Sequence, residues 1–582
     1  MKISNRNIYI AVQLIIIFGL SGCKKDFLGK PQGNDTNVDS IFSTSQKAQS
    51  AIALAYSESL ASGIDISGWD ANRDYGLCSS TLGHISGEIN EVKFSWEDGW
   101  KIQRSGMVAD DGSGKALSDD GFNFNFKCLR QNNLVIENID KVKDMSASEK
   151  EQVKAEMKTL TAYRYQEMFK RYGGVPIVTK SLTTEDSIKI PRATLQRTLD
   201  YIIQLCDEAA LILPNTYPDN MKGRVTKGVA LSIKGEALMF AARPLFNSAS
   251  PYMNLGANNT LICFGKVDAT RWQNAVDANK AVLDWALANS YKVINTGSPL
   301  DDYGTAVATP GNAEILLAYK FQQDVGNYDP HSQGGGANGM SFNQITQYYK
   351  ADGTNQVWAT SASPYAEYVT KIQQMEPRYK ESAQAAGIDA WNNPNDYNWS
   401  SQKMSGQSSW EGYGGTEACG RRVKFWYHAG TRNWFEFPIY RLAEFYLNLA
   451  EAYNELGQSA SALVNLNVIR NRAGLPNITE TNKDLLRQII QRDWAVEFYE
   501  EGHRFYDVKH WKLADINNGI IGGDKYSFIF TYVNSNFGLV AADYLTYKTS
   551  KVYTAFWTSS QYLTPFPIHE INKGYLVQNP GY

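Results

Sequence analysis

Residues able to do chemistry are thinly spread along the 582-residue chain. The six histidines, at 84, 331, 428, 503, 510 and 569, form no HExxH pair, and neither a GxSxG elbow nor a Walker loop occurs. Acid pairs such as Asp301-Asp302 and Glu500-Glu501 are sequence neighbours. Glycoside hydrolysis needs two carboxylates facing one bond across about 5–10 Å, a geometry that only folding can create. Gly334 to Gly339 has the GxGxxG spacing, but a dinucleotide site needs those glycines directly after a strand and opening a helix. The apolar run Ile315 to Phe321 ends well before them, and Asn327, Tyr328 and Pro330 intervene, so the segment reads as a loop and no cofactor is expected. Asp110-Asp111-Gly112-Ser113-Gly114 has the acidic start of a calcium loop, yet lacks alternating oxygen ligands and carries Gly121 where an EF-hand needs Glu. No metal site is expected either. What remains is aromatic: 34 Tyr, 24 Phe and 14 Trp. Aromatic rings can stack on the apolar C–H faces of a sugar, whose hydroxyls need Arg, Asn, Gln or Asp beside them.

The N-terminus bears on where such chemistry would take place. Lys2 and Arg6 precede an apolar stretch from Ile8 to Phe18, followed by Leu20-Ser21-Gly22-Cys23. A basic head, a short apolar core and small residues make a secretory signal peptide over residues 1–22. Eleven residues including Gln13 are too few to span about 30 Å of hydrocarbon. The Leu-Ser-Gly-Cys sequence resembles the bacterial lipobox, which implies that Cys23 becomes the first mature residue and carries acyl chains. The five other cysteines, at 78, 128, 206, 263 and 419, are odd in number and form no CxxC pair, which suits buried apolar residues better than a disulfide framework or zinc. A formal charge of −3 gives nucleic acid no electrostatic footprint, and 43% hydrophobic with 20% charged residues excludes wholesale disorder.

Helical periodicity supplies the frame. Apolar residues recur at spacings of three and four over Leu134 to Val142, Glu151 to Phe169, Leu195 to Leu213, Thr226 to Phe246 and Thr270 to Ala288. A second helical block starts at Pro438. There the stripe Leu442, Tyr446, Leu449, Tyr453, Leu456 ends at Gly457, and Ala462, Leu463, Leu466 and Ile469 form a partner stripe closed by Gly474 and Pro476. These two helices fit one repeat of about 34 residues, a tetratricopeptide-like hairpin. Trp272, Trp285, Trp494 and Trp511 lie on helical stripes and are expected in the core. Residues 62–120 and 322–437 are irregular, and six of the 14 Trp fall between Trp358 and Trp434. Long irregular segments in a compact exported chain are usually functional.

Several segments together resemble the SusD/RagB family of outer-membrane nutrient-binding lipoproteins. They are Ala162-Tyr163-Arg164 with Arg171-Tyr172-Gly173-Gly174-Val175-Pro176, Pro191-Arg192-Ala193, Gly223 to Ala230, Tyr440 to Glu444 running to Arg470-Asn471-Arg472-Ala473-Gly474, Glu501 to Trp511, and the closing Pro565 to Ile571 with Gln578-Asn579-Pro580-Gly581-Tyr582. Asp493-Trp494 stands where family members commonly have Glu-Arg. Arg504 and Asp507, three apart on a helix, are expected to pair with each other or with Glu501.

The resemblance implies a mainly α fold, a tetratricopeptide-like helical scaffold carrying a large loop-rich ligand region. The corresponding divisions are the signal peptide 1–22, an N-terminal region 23–300, and a C-terminal region 301–582 with the loop-rich insert 322–437 and helices and tail 438–582. It implies binding without catalysis: capture of oligosaccharides and delivery to a TonB-dependent, SusC-like transporter, with the protein lipid-anchored to the outer membrane. Lys24-Lys25-Asp26-Phe27 resembles members carried to the outer face. Family ligand contacts come from the loops before the first repeat helices and from the irregular insert, which here nominates Arg73, Trp96, Trp100, Trp358 and Trp391, with Trp69, Trp399 and Trp410 in the same segments. The competing readings are a peptide-binding member of the same fold and an exported glycoside hydrolase.

Overall fold

The computed structural model describes residues 38–60, 81–91, 98–114, 116–320, 338–385, 419–422, 424–425, 436–515, 519–533 and 541–582. Cys23, Arg73, Trp96 and Trp391 lie outside the described residues, as do Trp69, Trp399 and Trp410. The frame is built of helices α1 (Ser45–Leu60), α2 (Asp98–Ser105), α3 (Phe122–Asn138), α4 (Ala147–Tyr172), α5 (Leu195–Ala210), α6 (Lys227–Ala242), α7 (Thr270–Ala288), α8 (Pro299–Ala308), α9 (Tyr365–Gln373), α10 (Leu442–Glu455), α11 (Ser459–Arg472), α12 (Lys483–Glu497) and α13 (Arg504–His510). From α3 to α7 each helix packs against the next, and α7 passes the stack on to α10 with its partners α11 and α12. The fold is mainly helical and tetratricopeptide-like, and α10 with α11 is the hairpin expected over 442–474.

Local sequence explains where these helices begin and end. Ser146 and Glu149 form a reciprocal capping box at the start of α4. Thr194 caps α5 by accepting from Arg197 N at 3.1 Å, and Asn482 caps α12. The last turns of α4 and nearly all of α6 are buried on every side, so these two helices run through the centre rather than along a surface. Helix α3 starts a dozen residues earlier than the periodicity suggested, at Phe122. Its first turns, Phe122-Asn123-Phe124-Asn125-Phe126, alternate like a strand in sequence, which hides the helical start.

After α4, Gly173 takes a φ of +82°, and a Cβ on Gly174 would lie 2.1 Å from the Ala193 carbonyl. That close approach brings Arg192 over the end of α4. Its guanidinium donates to Gly174 O, Tyr172 O, Val577 O and Asn579 Oδ1 at 2.7–3.0 Å, clamping the C-terminal tail to the helical frame. One hydrophobic core runs from Phe42 to Leu576, shared by the 23–300 and 301–582 regions. Cys128, Cys206, Cys263 and Cys419 are buried and free. No helix among the described residues is long and apolar enough to cross a membrane.

The short strands are β1 (Ile89–Glu91), β2 (Ile315–Lys320), β3 (Asn338–Met340), β4 (Ser363–Pro364), β5 (Ala383–Gln384), β6 (Arg421–Arg422), β7 (Glu436–Arg441), β8 (Gly523–Tyr532) and β9 (Tyr544–Ala555). They form an antiparallel sheet ordered β1-β3-β6-β5, a β2-β7 pair leading into α10, and a β4-β9-β8 sheet. One face of the β8-β9 hairpin carries Phe528, Phe530, Tyr544 and Tyr547 into a second, largely aromatic core, completed by Tyr365 and Tyr368 of α9 and by Trp358. Helix α9 lies inside the stretch expected to be irregular: its apolar residues Tyr365, Tyr368 and Ile372 cover only two turns, too few to stand out as a period.

Between the helical frame and this second core lies a buried charge network of five cations and five carboxylates: Arg378, Lys424, Arg441, Arg470 and Arg472 against Glu314, Glu376, Asp493, Glu497 and Glu501. Arg441 alone binds Glu501 at 2.7 Å, Glu497 at 2.6 Å and Glu314 at 3.1 Å. The surrounding guanidinium groups hold the Glu497 carboxyl far below the usual range despite its burial. Asp493, the family departure, is fully paired with Arg378 and Arg470 at 2.9 Å each. Such a network specifies how β7, α11 and α12 meet, because removing one member leaves its partners charged and buried.

Candidate functional site

Helix α2 has the sequence Asp98-Gly-Trp-Lys-Ile-Gln-Arg-Ser105, which places Trp100 and Arg104 four apart on one face. Strand β9 ends beside it, with Phe556 N donating to Gln103 O at 2.8 Å. Arg104 lies across the Tyr553 ring, 3.3 Å from its centroid, and 5.5 Å from the Trp100 ring. The Tyr553 hydroxyl is 3.2 Å from Asn90 Oδ1 on β1 and 3.0 Å from Gln103 Oε1. Gln103 in turn donates to His84 O, fixing its amide. Phe556 rests on Gly106, where a Cβ would come within 2.7 Å of the ring, and it remains 43% exposed. The result is a face with three rings and one guanidinium from α2 and the end of β9, backed by the buried amides of Asn90 and Gln103.

The arrangement suits stacking and hydrogen bonding. Among the described residues it offers no facing carboxylate pair: Asp98 is paired with Lys101 at 3.0 Å, and Asp524 on β8 with Lys551 at 2.6 Å. The Asp110–Gly114 loop spends its oxygens on its own backbone, with Asp110 Oδ1 accepting from Gly112 N at 2.8 Å and Gly114 N at 2.9 Å, and Asp111 Oδ1 from Ser113 N at 2.8 Å. These are turn-stabilising contacts rather than a cation cage. No group of three potential metal ligands occurs among the described residues.

Of the residues nominated from sequence, Trp100 stands on this face, half-buried. Trp358 does not. It is 7% exposed in the second core, edge-on to Phe528 at 4.9 Å and beside Tyr368 at 6.3 Å, so its ring presents no free face to a sugar. Trp285, Trp494 and Trp511 are buried on their helices, and Trp272 is half-buried against the same core. The structure adds two rings that attention to tryptophan passed over, Tyr553 and Phe556. Their signal was the run Tyr553-Thr-Ala-Phe556-Trp557 at the end of a strand, too aromatic for an ordinary turn.

The model describing the SusD family matches residues 291–582, and a second, described as starch-binding associating with outer membrane, matches residues 70–235. A SusD-like protein of Formosa agariphila is 23% identical over 415 residues, covering 67% of this chain and 72% of that one. The starch-binding protein SusD of Bacteroides thetaiotaomicron is 30% identical over 148 residues, 25% of this chain and 22% of its own. Among solved structures, a SusD-like protein from Bacteroides fragilis superposes with a TM-score of 0.70 at 24% identity, over 94% of this chain and 98% of that one. A laminarin-binding SusD-like protein gives 0.54 at 17% identity, over 93% and 100%. At these identities the structural matches speak for the fold.

Proposed function

Because the chain belongs to the SusD family, whose members bind rather than catalyse, we propose that it captures glycans on the Trp100–Tyr553–Phe556 face and delivers them to a TonB-dependent, SusC-like transporter. The observation that carries this reading is the exposed Phe556 ring beside Tyr553 and the Arg104 guanidinium: apolar planes and a planar hydrogen-bonding group side by side, as a pyranose requires. Arg73, Trp96 and Trp391 belong to the same proposal as further contacts. The family's association with the outer membrane supports a lipid anchor at Cys23, and Cys23→Ala should then release the protein from membranes on fractionation.

The test of the ligand face is calorimetric titration with a panel of oligosaccharides, including starch and laminarin fragments. For whichever glycan binds, Tyr553→Ala and Trp100→Ala should each weaken affinity about 5–30-fold, equivalent to about 1–2 kcal/mol of stacking. Unchanged affinity in both variants would move the site off this face. New reducing ends released with turnover would favour the hydrolase instead.

A further inference from the structure

Along β8 the aromatic residues Phe530, Phe528 and Tyr526 alternate onto one face, and the row outruns its cover. Phe530 and Phe528 are buried with α9 and Trp358 in the second core. Tyr526 emerges beyond them, 38% exposed, and its ring neighbour among the described residues is the half-buried Phe342, 6.1 Å away.

What surrounds the Tyr526 ring is polar and open. Lys551 stands directly opposite Tyr526 in the strand register, and Asp524 stands opposite Thr554. Asp524 Oδ1 accepts from Lys551 Nζ at 2.6 Å and from Thr554 Oγ1 at 2.7 Å. An exposed cross-strand pair of this kind adds little to stability. It leaves Asp524 Oδ2 and the other Lys551 N–H groups without a partner among the described residues, and both side chains face solvent. A carboxylate oxygen and an ammonium beside an open ring can hold adjacent sugar hydroxyls while the ring stacks on a C–H face. Thr554 is also exposed, and two residues beyond it comes the exposed Phe556. Phe556, Thr554, Asp524, Lys551 and Tyr526 therefore follow one another as one open ribbon. From Phe556 to Lys551 it covers about 13–16 Å of strand, allowing for the extra residue Val552. A disaccharide is too short to reach from end to end.

We propose that the captured glycan is a chain longer than a disaccharide, which runs from Phe556 over Thr554, Asp524 and Lys551 and stacks its far end on Tyr526. The inference rests on the glycan reading of the Trp100–Tyr553–Phe556 face and adds to it the length and direction of the ligand. Short chains fill the Tyr553 end alone. Affinity then grows with length until Tyr526 is covered, and levels off.

Calorimetric titration with matched disaccharides, tetrasaccharides and hexasaccharides tests this, using each linkage of the panel with starch- and laminarin-derived series included. In the series that binds, the hexasaccharide should be held about 10-fold or more tighter than the disaccharide. Tyr526→Ala and Lys551→Met should each cut that gain at least about 3-fold, with melting temperatures within about two degrees of the parent. Tyr553→Ala should instead weaken both lengths alike and leave the gain in place. Equal affinity for both lengths in the parent, or a full gain in both ribbon variants, would overturn the extended site while the Tyr553 face stands. A disaccharide indifferent to Tyr553→Ala would strike the face itself and the extension with it, as would a failure of every series to bind.

Discussion

The two faces of the β8-β9 hairpin are both aromatic, and they do opposite things. On one, Phe528, Phe530, Tyr544 and Tyr547 are covered by α9 and Trp358, with Tyr365 and Tyr544 stacked at 4.8 Å. On the other, Tyr553 meets Arg104, Asn90 and Gln103. A single residue separates the two outcomes. Lys525 pairs with Tyr553 but Tyr526 pairs with Lys551, so Val552 is an extra residue in β9. In an unbroken strand Tyr553 would share the face of Tyr547, Thr549 and Lys551, pointing toward the aromatic core. The bulge turns it to the α2 side, a known way of re-aiming a side chain next to a site. Ring content alone thus says little about function; coverage decides, and here a bulge decides coverage.

The largest effect that would sharpen this contrast is on stability. Trp358→Ala removes a buried indole from the covered side and should cost about 3–5 kcal/mol in urea unfolding, with glycan affinity unchanged in the protein that remains folded. A near-silent Trp358→Ala would mean the covered side is not a packed core.

How much of this contrast could be read in the residues? Long helices announced themselves through caps and stripes, as at Ser146-Glu149 and over Leu442 to Leu456. The family segments were likewise visible, and Arg192 shows why: one side chain with four backbone and amide acceptors cannot drift in sequence without loosening the tail. The Val552 bulge left no trace, because an extra residue has no composition of its own. The Arg504–Asp507 pair failed for a different reason. Spacing on one helix permits a contact, but Arg243 from α6 competes for the same carboxylate, and that competitor is more than 250 residues away in sequence. Trp358 was misplaced because a tryptophan in a loop-rich segment looks the same whether it caps a core or faces solvent.

A second effect lies on the polar side, where burial of charge is costly. Glu88 is raised from 4.5 to about 7 by desolvation. A raised acid favours folding while protonated, so its contribution is whole below about 4.5 and is lost as pH climbs through 7. The shift corresponds to about 3 kcal/mol of pH-dependent stability. Glu88→Gln, which cannot ionise, should flatten the fall in melting temperature between pH 4.5 and 7 seen in the parent protein. A parallel fall in both proteins would assign that slope to another acid, with Asp507, raised to about 6 by burial, the next to substitute.

Inserting one alanine between Lys525 and Tyr526 of β8 breaks the comparison directly. Giving Val552 a partner should swing Tyr553 back toward the covered side and cost glycan affinity about as much as Tyr553→Ala does, roughly 5–30-fold. Retained affinity, with circular dichroism showing the fold intact, would mean that Tyr553 reaches the ligand without the bulge or does not reach it at all.

The smallest expected effect concerns Phe556, and it separates a ligand-bearing face from one that is merely exposed. Its ring is 43% open to solvent and is supported from below by Gly106, so truncation removes little core packing. Phe556→Ala should therefore move the melting temperature by no more than a degree or two, since surface substitutions stay within about 0.5 kcal/mol. If a sugar ring stacks there, affinity should drop about 3–5-fold, or up to about 1 kcal/mol, less than at Tyr553 because Phe556 brings no hydroxyl and no guanidinium beside it. The loss should be nearly the same at about 50 mM and 500 mM salt, since dispersion and C–H contacts are unscreened. A salt-dependent loss would point to charge on the ligand read by Arg104. A stability loss without an affinity change would make Phe556 a lid on the α2–β9 junction, and the exposed side of the hairpin would then begin and end with Tyr553.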